Sequence, residues 1–316
     1  MKYVIICCTL IALMASIMPA QAYWNETGFP LEDHLVAQGT VNGSVYVGGG
    51  HGKSGVSAFN VPYTELLEVP PGDVKFARLC TGAGLLAKPD GGAIWLNMTL
   101  NGESLGNLTI RGKDDDNENV YIFDSAYGGW IWYNVTDRIV PGAVNNATLY
   151  GDAIYDADGK NLGWGTKYIA GIILVVVYED PNKPETQYWI REGADYLHKE
   201  SSYIAEKKNT TTTFPEADNS TCENATLYTV ARGATNAISY NETLWVNGEL
   251  AACNLAGDRN GRGLDINRTE ITEYLRESGN YVTYERGDGS LNIGCAVLVL
   301  GKIEIIPDLT IRGVWM

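Results

Sequence analysis

Apolar and polar residues alternate over short stretches through most of the chain, and Gly, Asn or Asp separates one stretch from the next. A period of two sends successive side chains to opposite faces of an extended strand, so short β-strands joined by turns are expected. No long segment repeats its apolar positions every 3.6 residues, which excludes a helical fold. Residues 171–177 (GIILVVV) and 294–300 (GCAVLVL) are continuously apolar and of strand length. A different apolar run opens the chain. After Lys2, residues 4–18 are apolar apart from Thr9 and Ser16, and Ala20-Gln21-Ala22 supplies an A-x-A cleavage site. A membrane span takes roughly 20 apolar residues, and this run is shorter. Residues 1–22 therefore read as a signal peptide, and the mature chain is expected to be extracellular, secreted or held at the cell surface. No later stretch approaches a span, so no transmembrane anchor is expected after signal removal.

Two segments carry the same landmarks in the same order. Ala77-Arg78-Leu79 is matched by Ala225-Thr226-Leu227, and Asn101-Gly102-Glu103 by Asn247-Gly248-Glu249. Asn-Gly after an alternating run is a strong hairpin signal. Thr136-Asp137-Arg138 is matched by Thr272-Glu273-Tyr274, and Asn146-Ala147-Thr148 by Asn280-Tyr281-Val282. Short turns of helix are expected within 136–140 and 269–277, with Thr269-Glu270 near an N-cap. Each segment closes on one of the two apolar runs. The expected fold is all-β: two tandem, jelly-roll-like β-sandwich domains related by an internal repeat, over residues 23–180 and 181–306. Residues 307–316 form a C-terminal tail expected to promote assembly. Asp180-Pro181-Asn182-Lys183-Pro184 is expected to begin a linker.

Composition narrows the function. The chain has 316 residues, 45% of them hydrophobic and 19% charged, with a net charge of −15. Nucleic acid is excluded as a partner, because phosphate binding needs a basic surface. The sequon N-x-[ST] occurs at Asn25, Asn42, Asn97, Asn107, Asn134, Asn146, Asn209, Asn219, Asn224, Asn241 and Asn267. Chance would give about three in a chain of this composition, so a heavily N-glycosylated protein is expected. Of six cysteines, two leave with the signal. Cys80, Cys222, Cys253 and Cys295 remain and are expected to form structural disulfides, with three connectivities open.

Catalytic motifs are absent from this reading. Gly48-Gly49-Gly50-His51-Gly52-Lys53-Ser54 looks like a phosphate loop, but Val47 stands where the pattern needs Gly, and no helix signal follows. There are three histidines in all, no metal-spaced pair and no G-x-S-x-G. Paired carboxylates for glycoside cleavage cannot be picked out from 38 acidic residues, so no enzyme is expected. The acidic turns with Asp114 and Asp116, and with Asp152, Asp156 and Asp158, offer hard oxygen ligands for calcium, although neither completes an EF-hand loop. The aromatics Tyr127, Trp130, Trp132, Tyr133, Trp164, Tyr188, Trp189, Trp245 and Trp315 are expected in the core, with a sugar-stacking platform at Tyr127-Gly128-Gly129-Trp130 as the alternative.

The stretch from Val176 through Asp180-Pro181-Asn182-Lys183-Pro184 to Glu192-Gly193, with the opening Gln38-Gly39-Thr40-Val41-Asn42-Gly43, resembles a family of secreted methanogen proteins. That family carries only a domain-of-unknown-function label, number 3344. The resemblance implies an exported archaeal protein and brings no catalytic residues. Many such proteins continue into an anchor or further domains, whereas this sequence stops at Met316. The expected role is structural, as a subunit of a surface layer, sheath or extracellular filament. It would assemble as a homo-oligomer through β-edges and terminal segments. The alternative is a carbohydrate-binding or adhesion module.

Overall fold

The computed structural model describes residues 24–25, 28–50, 62–84, 94–110, 117, 119–123, 128–153, 168–200, 205–214, 216–217, 222–233, 241–255 and 264–302. The protein is all-β, as the alternation predicts. The first half contains β1 (Trp24–Asn25), β2 (Gly28–Phe29), β3 (Leu35–Gly49), β4 (Tyr63–Glu68), β5 (Asp73–Gly84), β6 (Ile94–Leu100), β7 (Glu103–Ile110), β8 (Val120–Phe123), β9 (Gly128–Asn134), β10 (Val144–Ala153) and β11 (Tyr168–Glu179). The second half contains β12 (Glu185–Leu197), β13 (Asn209–Phe214), β14 (Cys222–Gly233), β15 (Thr243–Val246), β16 (Glu249–Cys253), β17 (Leu264–Glu270), β18 (Asn280–Glu285) and β19 (Leu291–Lys302). The expected helical turns are single 3-10 turns, Thr136–Arg138 and Thr272–Tyr274. Thr269 and Glu270 are not a cap; they end β17.

The strands form an 11-stranded sheet in the order β1-β8-β9-β5-β11-β3-β12-β19-β14-β17, with β2 beside β12, and two four-stranded sheets, β4-β10-β6-β7 and β13-β18-β15-β16. Apart from β1 with β8, the pairings in these sheets are antiparallel. One small sheet covers the β9-β5-β11 region over a core that includes Leu79, Met98, Leu149 and Leu174. The other covers β12-β19-β14 over Leu227, Leu244, Tyr284 and Leu298. A third core lies between the two halves of the large sheet and holds Trp130, Trp132, Val175, Ile190, Val230 and Val297. The continuously apolar runs follow from this. Ile172, Leu174 and Val176 of β11 face a small sheet, while Ile173, Val175 and Val177 face the central seam. A strand buried on both faces has no polar face to alternate with. Each fully buried aliphatic side chain contributes about 1.5–3 kcal/mol relative to exposure.

Strand β3 belongs to both halves of the large sheet. Residues 35–42 pair with β12 and residues 43–49 with β11. The change of partner falls at Gly43, where a Cβ would sit 2.0 Å from the Tyr178 carbonyl oxygen, so only glycine allows the approach. The segment 180–184 is not a linker. It is a tight corner between β11 and β12, closed by Lys183 N–H to the Asp180 carbonyl (2.9 Å) and by the Asp180 carboxylate accepting from Asn182 N–H (3.0 Å). It is tied to β3 by Asp180 N–H to the Asn42 carbonyl (2.7 Å) and by the Thr186 hydroxyl to the Gly43 carbonyl (2.9 Å).

Both Asn-Gly hairpins form as expected. Asn101 and Asn247 each have φ 53°, and Gly102 and Gly248 have φ 83° and 89°, the left-handed pair that a two-residue turn needs. Each turn asparagine then donates to a second, buried asparagine. Asn101 Nδ2 bonds Asn145 Oδ1 at 2.9 Å, and Asn247 Nδ2 bonds Asn280 Oδ1 at 2.7 Å. The partner of Asn280 in this arrangement is thus Asn145, one residue before the Asn146 that matching by sequence selects. The Asn280 amide also donates to the carbonyls of Ala217 (2.7 Å) and Arg276 (2.8 Å), and its oxygen accepts from Arg276 N–H (2.8 Å). Truncation would leave several buried groups unpaired. Asn280→Ala is expected to cost about 3 kcal/mol in a urea titration, and the exposed Asn146→Gln less than about 0.5 kcal/mol.

Candidate functional site

The asparagines divide into two sets by position. Asn42, Asn107, Asn134, Asn146, Asn209, Asn224 and Asn241 are exposed, and Asn97 and Asn267 are half-buried. Asn219 lies outside the described residues, and of Asn25 only its place in β1 is described. The buried asparagines among the described residues are Asn145, Asn247, Asn280 and Asn292, and none of them stands in a sequon. Two sequons show the acceptor geometry directly. Asn134 Oδ1 accepts from the Thr136 hydroxyl at 2.8 Å, and Asn146 Oδ1 from the Thr148 hydroxyl at 3.3 Å. In both the amide oxygen is engaged and the residue is exposed. Asn267 differs, since its Nδ2 donates to the Leu255 carbonyl at 3.3 Å.

A second cluster is buried in the central seam. Arg78 on β5 donates from Nε and Nη2 to the two oxygens of Glu192 on β12, at 2.9 and 2.8 Å. Glu192 is fully buried. A bidentate fork of this kind fixes orientation as well as distance. Asp195, also fully buried, accepts from Lys207 Nζ and from the Thr210 hydroxyl, both at 2.6 Å. Trp130 Nε1 donates to Asn292 Oδ1, and Asn292 Nδ2 donates to the Asp195 carbonyl at 3.4 Å. Both carboxylates are neutralised by cations and buried; the Arg78–Glu192 pair ties the two halves together, while Asp195 ties β12 to Lys207 and β13 within the second half. Sequence reasoning missed them. The signal was present: Arg78 lies between Ala77 and Leu79 in an apolar strand, where a charge needs a buried partner.

A cleft of about 260 Å³ opens between β7 and β9, lined by Leu105, Asn119, Tyr133, Asn134 and Arg138. The Tyr133 hydroxyl is buried without a hydrogen-bond partner, and burial pushes its pKa up. Arg138 donates to the Ser104 carbonyl at 3.0 Å. Among the described residues that line it there is no carboxylate, and Arg138 pairs with the Glu103 carboxylate at 3.9 Å.

The other expectations fare differently. All four cysteines stand as thiols, so the expected disulfides are not formed: Cys80 and Cys295 are buried, Cys222 is half-buried and Cys253 is exposed. The calcium candidates Asp114, Asp116, Asp156 and Asp158 lie outside the described residues, and Asp152 is placed only by its pairing with Trp95. No group of three or more metal-ligating side chains occurs among the described residues. Trp130, Trp132, Tyr133, Tyr188 and Trp189 are core residues, Trp245 is half-buried, and Tyr127, Trp164 and Trp315 lie outside the described residues. Residues 51–54 of the glycine-rich stretch, the signal segment and residues 307–316 lie outside the described residues. Among the described residues no helix is long and apolar enough to cross a membrane.

A family model described as a protein of unknown function, DUF3344, matches residues 26–301. The chain belongs to this family. The DUF3344 match runs from just before β2 to the penultimate residue of β19, so it takes in all three sheets. No curated protein matches the chain. Among solved structures, a β-porphyranase of glycoside hydrolase family 86 from Bacteroides plebeius is similar at 12% identity and a TM-score of 0.27. The alignment covers 73% of this chain and 37% of that one, so the DUF3344 chain spans little over a third of the porphyranase. A peptide-N(4)-(N-acetyl-β-D-glucosaminyl) asparagine amidase is similar at 11% identity and a TM-score of 0.25, over 81% of this chain and 96% of that one. The ANX2 ectodomain from Arabidopsis thaliana is similar at 10% identity and a TM-score of 0.27, over 87% and 92%. TM-scores this low carry no functional weight.

Two consequences can be measured. Arg78→Met would leave the Glu192 carboxylate buried without its cation, at an expected cost of about 3–5 kcal/mol, and the double variant Arg78→Met/Glu192→Leu should recover most of that in denaturant unfolding. Glu242 is buried, one of its oxygens lacks a partner, and burial raises its pKa. The folded state therefore holds the proton more tightly than the unfolded state. Stability is full below the unfolded carboxylate value and falls as pH rises through the folded one. Glu242→Gln, which keeps the Asn241 sequon, should raise stability by about 1 kcal/mol at pH 7, and the gain should vanish by about pH 4.

Proposed function

We propose that this is an exported, N-glycosylated structural protein of an archaeal cell surface, a subunit of a surface layer, sheath or extracellular filament, built from two tandem copies of one β-sandwich. The observation that carries the reading is the division of the asparagines. Every sequon side chain that is described is exposed or half-buried, and every buried asparagine among the described residues lies outside a sequon. Glycans attached at such sites are bulky, solubilising and compatible with the fold. The tandem reading is supported by two strand orders. The series β9-β5-β11-β3 with β4-β10-β6-β7 has the same chain-order pattern as β17-β14-β19-β12 with β13-β18-β15-β16.

The sheet ends support a mode of assembly for such a subunit. Six strands close the paths of the three sheets: β1, β17, β4, β7, β13 and β16. Four carry a sequon asparagine, namely Asn25 on β1, Asn107 on β7, Asn209 on β13 and Asn267 on β17. A glycan beside an open edge blocks pairing with another chain, a hazard of exposed edges. The remaining two, β4 and β16, carry none, and they bear exposed leucines, Leu66 at 60% and Leu250 at 46%. These are the edges left for pairing with a second copy. A second reading, recognition of carbohydrate, is favoured by the cleft, where the unpartnered Tyr133 hydroxyl lies beside Arg138 and Asn134.

Glycopeptide mapping and electron microscopy of native material test both readings together. Occupied sequons at Asn134 and Asn146, with Asn267 the least occupied, and regular filaments or lattices lost in Leu66→Lys/Leu250→Lys are expected. A bare polypeptide mass with monodisperse particles would sink the structural reading. Dispersed monomers that bind a glycan array through the cleft would move it to the second.

A further inference from the structure

The outer face of the β4-β10-β6-β7 sheet carries an aromatic pair. Along β6, Leu96, Met98 and Leu100 are buried, so Trp95, Asn97 and Thr99 turn to the other face, where each is half-buried. Asn97 and Thr99 are the two ends of one sequon. On β10, Ala147 and Leu149 are buried, and Tyr150 is half-buried on the outer face. Tyr150 is the register partner of Asn97, which puts their Cβ atoms about 4.5–5.5 Å apart. Trp95 stands two residues before Asn97, about 6.5 Å along the same strand. The two rings meet edge to face, with centroids 5.7 Å apart and planes at 72°. Such a pair covers one ring face, and both residues keep open surface. On its other side Asn97 faces Asn107 of β7, and its amide oxygen accepts from the Ser104 hydroxyl at 2.9 Å. The sequon asparagine is therefore held in place with Tyr150 across the sheet and Trp95 along the strand.

We propose that the Trp95–Tyr150 pair is the seat of the chain's own glycan: the first sugar bonded to Asn97 packs its C–H face on these rings. The proposal rests on the glycosylation reading above. The face of an aromatic ring is negative, and the axial C–H hydrogens of a pyranose are made positive by the neighbouring oxygens, so the two attract. Removing C–H and ring surface from water adds to that attraction. The contact is weak for a free sugar. A tethered one has an effective concentration in the millimolar range, which fills a site that dilute free carbohydrate leaves empty. The apolar surface of two half-buried rings is far below the roughly 1,000 Å² of a stable protein interface. Thr99, Thr148, Asn107 and Thr109 around it are polar and suit sugar hydroxyls. The exposed Leu66 is the register partner of Asn146, four residues along β10 from Tyr150, so edge pairing and sugar docking use different ends of the face.

The test is hydroxyl-radical footprinting of the full chain, read residue by residue by mass spectrometry, on chain made in the native host and on chain made in a host that attaches no glycan. Glycopeptide mapping of the same native sample gives the occupancy of Asn97. Trp95 and Tyr150 are expected to oxidise several-fold more slowly in the glycosylated chain. Thr99→Val removes the sequon without touching Asn97 and should restore the fast rate, whereas Thr99→Ser, which keeps the sequon, should not. Asn107→Gln, at the neighbouring sequon, should leave the protection intact. Equal oxidation with Asn97 occupied, protection that survives Thr99→Val, or protection lost in Asn107→Gln overturns the proposal. So does a bare Asn97 beside occupied sequons elsewhere, and that result leaves the structural reading of the surface standing. A chain bare at every sequon removes both.

Discussion

Everything in this fold depends on burying both faces of β11 and β19. Each strand has a small sheet on one side and the opposite half of the large sheet on the other. An 11-stranded sheet with one apolar face left over would be an aggregation surface. Folding the sheet onto itself removes that face, and the fold-over requires a strand that both halves can share. β3 is that strand, and Gly43 is the point where it can change partners without a clash. The corner at 180–184, the flat packing of Trp130 on Gly294 and the Arg78–Glu192 fork all serve the same closure. The ion pair adds little net stability over an apolar pair of the same shape. Its contribution is orientation: a bidentate fork is satisfied in one alignment of the two halves, whereas apolar side chains tolerate sliding.

With the interior spent on the seam, function has to be carried by the outside. The two small sheets turn outward faces rich in Thr, Ser and Asn to solvent, as the exposed Thr64–Thr148 and Thr211–Thr283 pairs show. Such faces pack poorly against another protein and suit attached sugar. On the proposed reading, glycans and open edges are complementary devices. Sugar closes the edges that must not pair, and the edges without sugar are the ones where exposed leucines make pairing favourable.

Much of this was legible in the sequence because it is local. The Asn-Gly turns demand left-handed dihedrals at both positions and formed where expected. The two apolar runs announced strands, and their lack of alternation already implied burial on both faces. What was not legible is non-local. Asn146 and Asn280 match by residue type, yet the asparagine that bonds the first turn as Asn280 bonds the second is Asn145, a contact that residue type alone does not reveal. Asp180-Pro181-Asn182-Lys183-Pro184 has linker composition, yet its Asp180 amide and Pro184 carbonyl bond β3, a strand far away in sequence. Arg78 and Glu192 could be recognised as misplaced charges, but not as partners, since 114 residues separate them. The acidic turns proposed for calcium lie almost wholly outside the described residues.

The division of the asparagines has a kinetic meaning. An enzyme that attaches glycan to an unfolded chain recognises N-x-[ST] and has no knowledge of which asparagines will later be buried. Asn145, Asn247, Asn280 and Asn292 each have both amide atoms or their surroundings committed to interior hydrogen bonds. A sugar on any of them would prevent the turn or the seam from closing. In this chain the residue two places on is Ala147, Glu249, Val282 or Gly294, never Ser or Thr. On the proposed reading, the buried set would therefore be invisible to a modifying enzyme, and the exposed set visible at any stage. On that reading the exposed sequons would receive the same glycans before or after folding, and the half-buried Asn97 and Asn267 are the sites at which the order would matter.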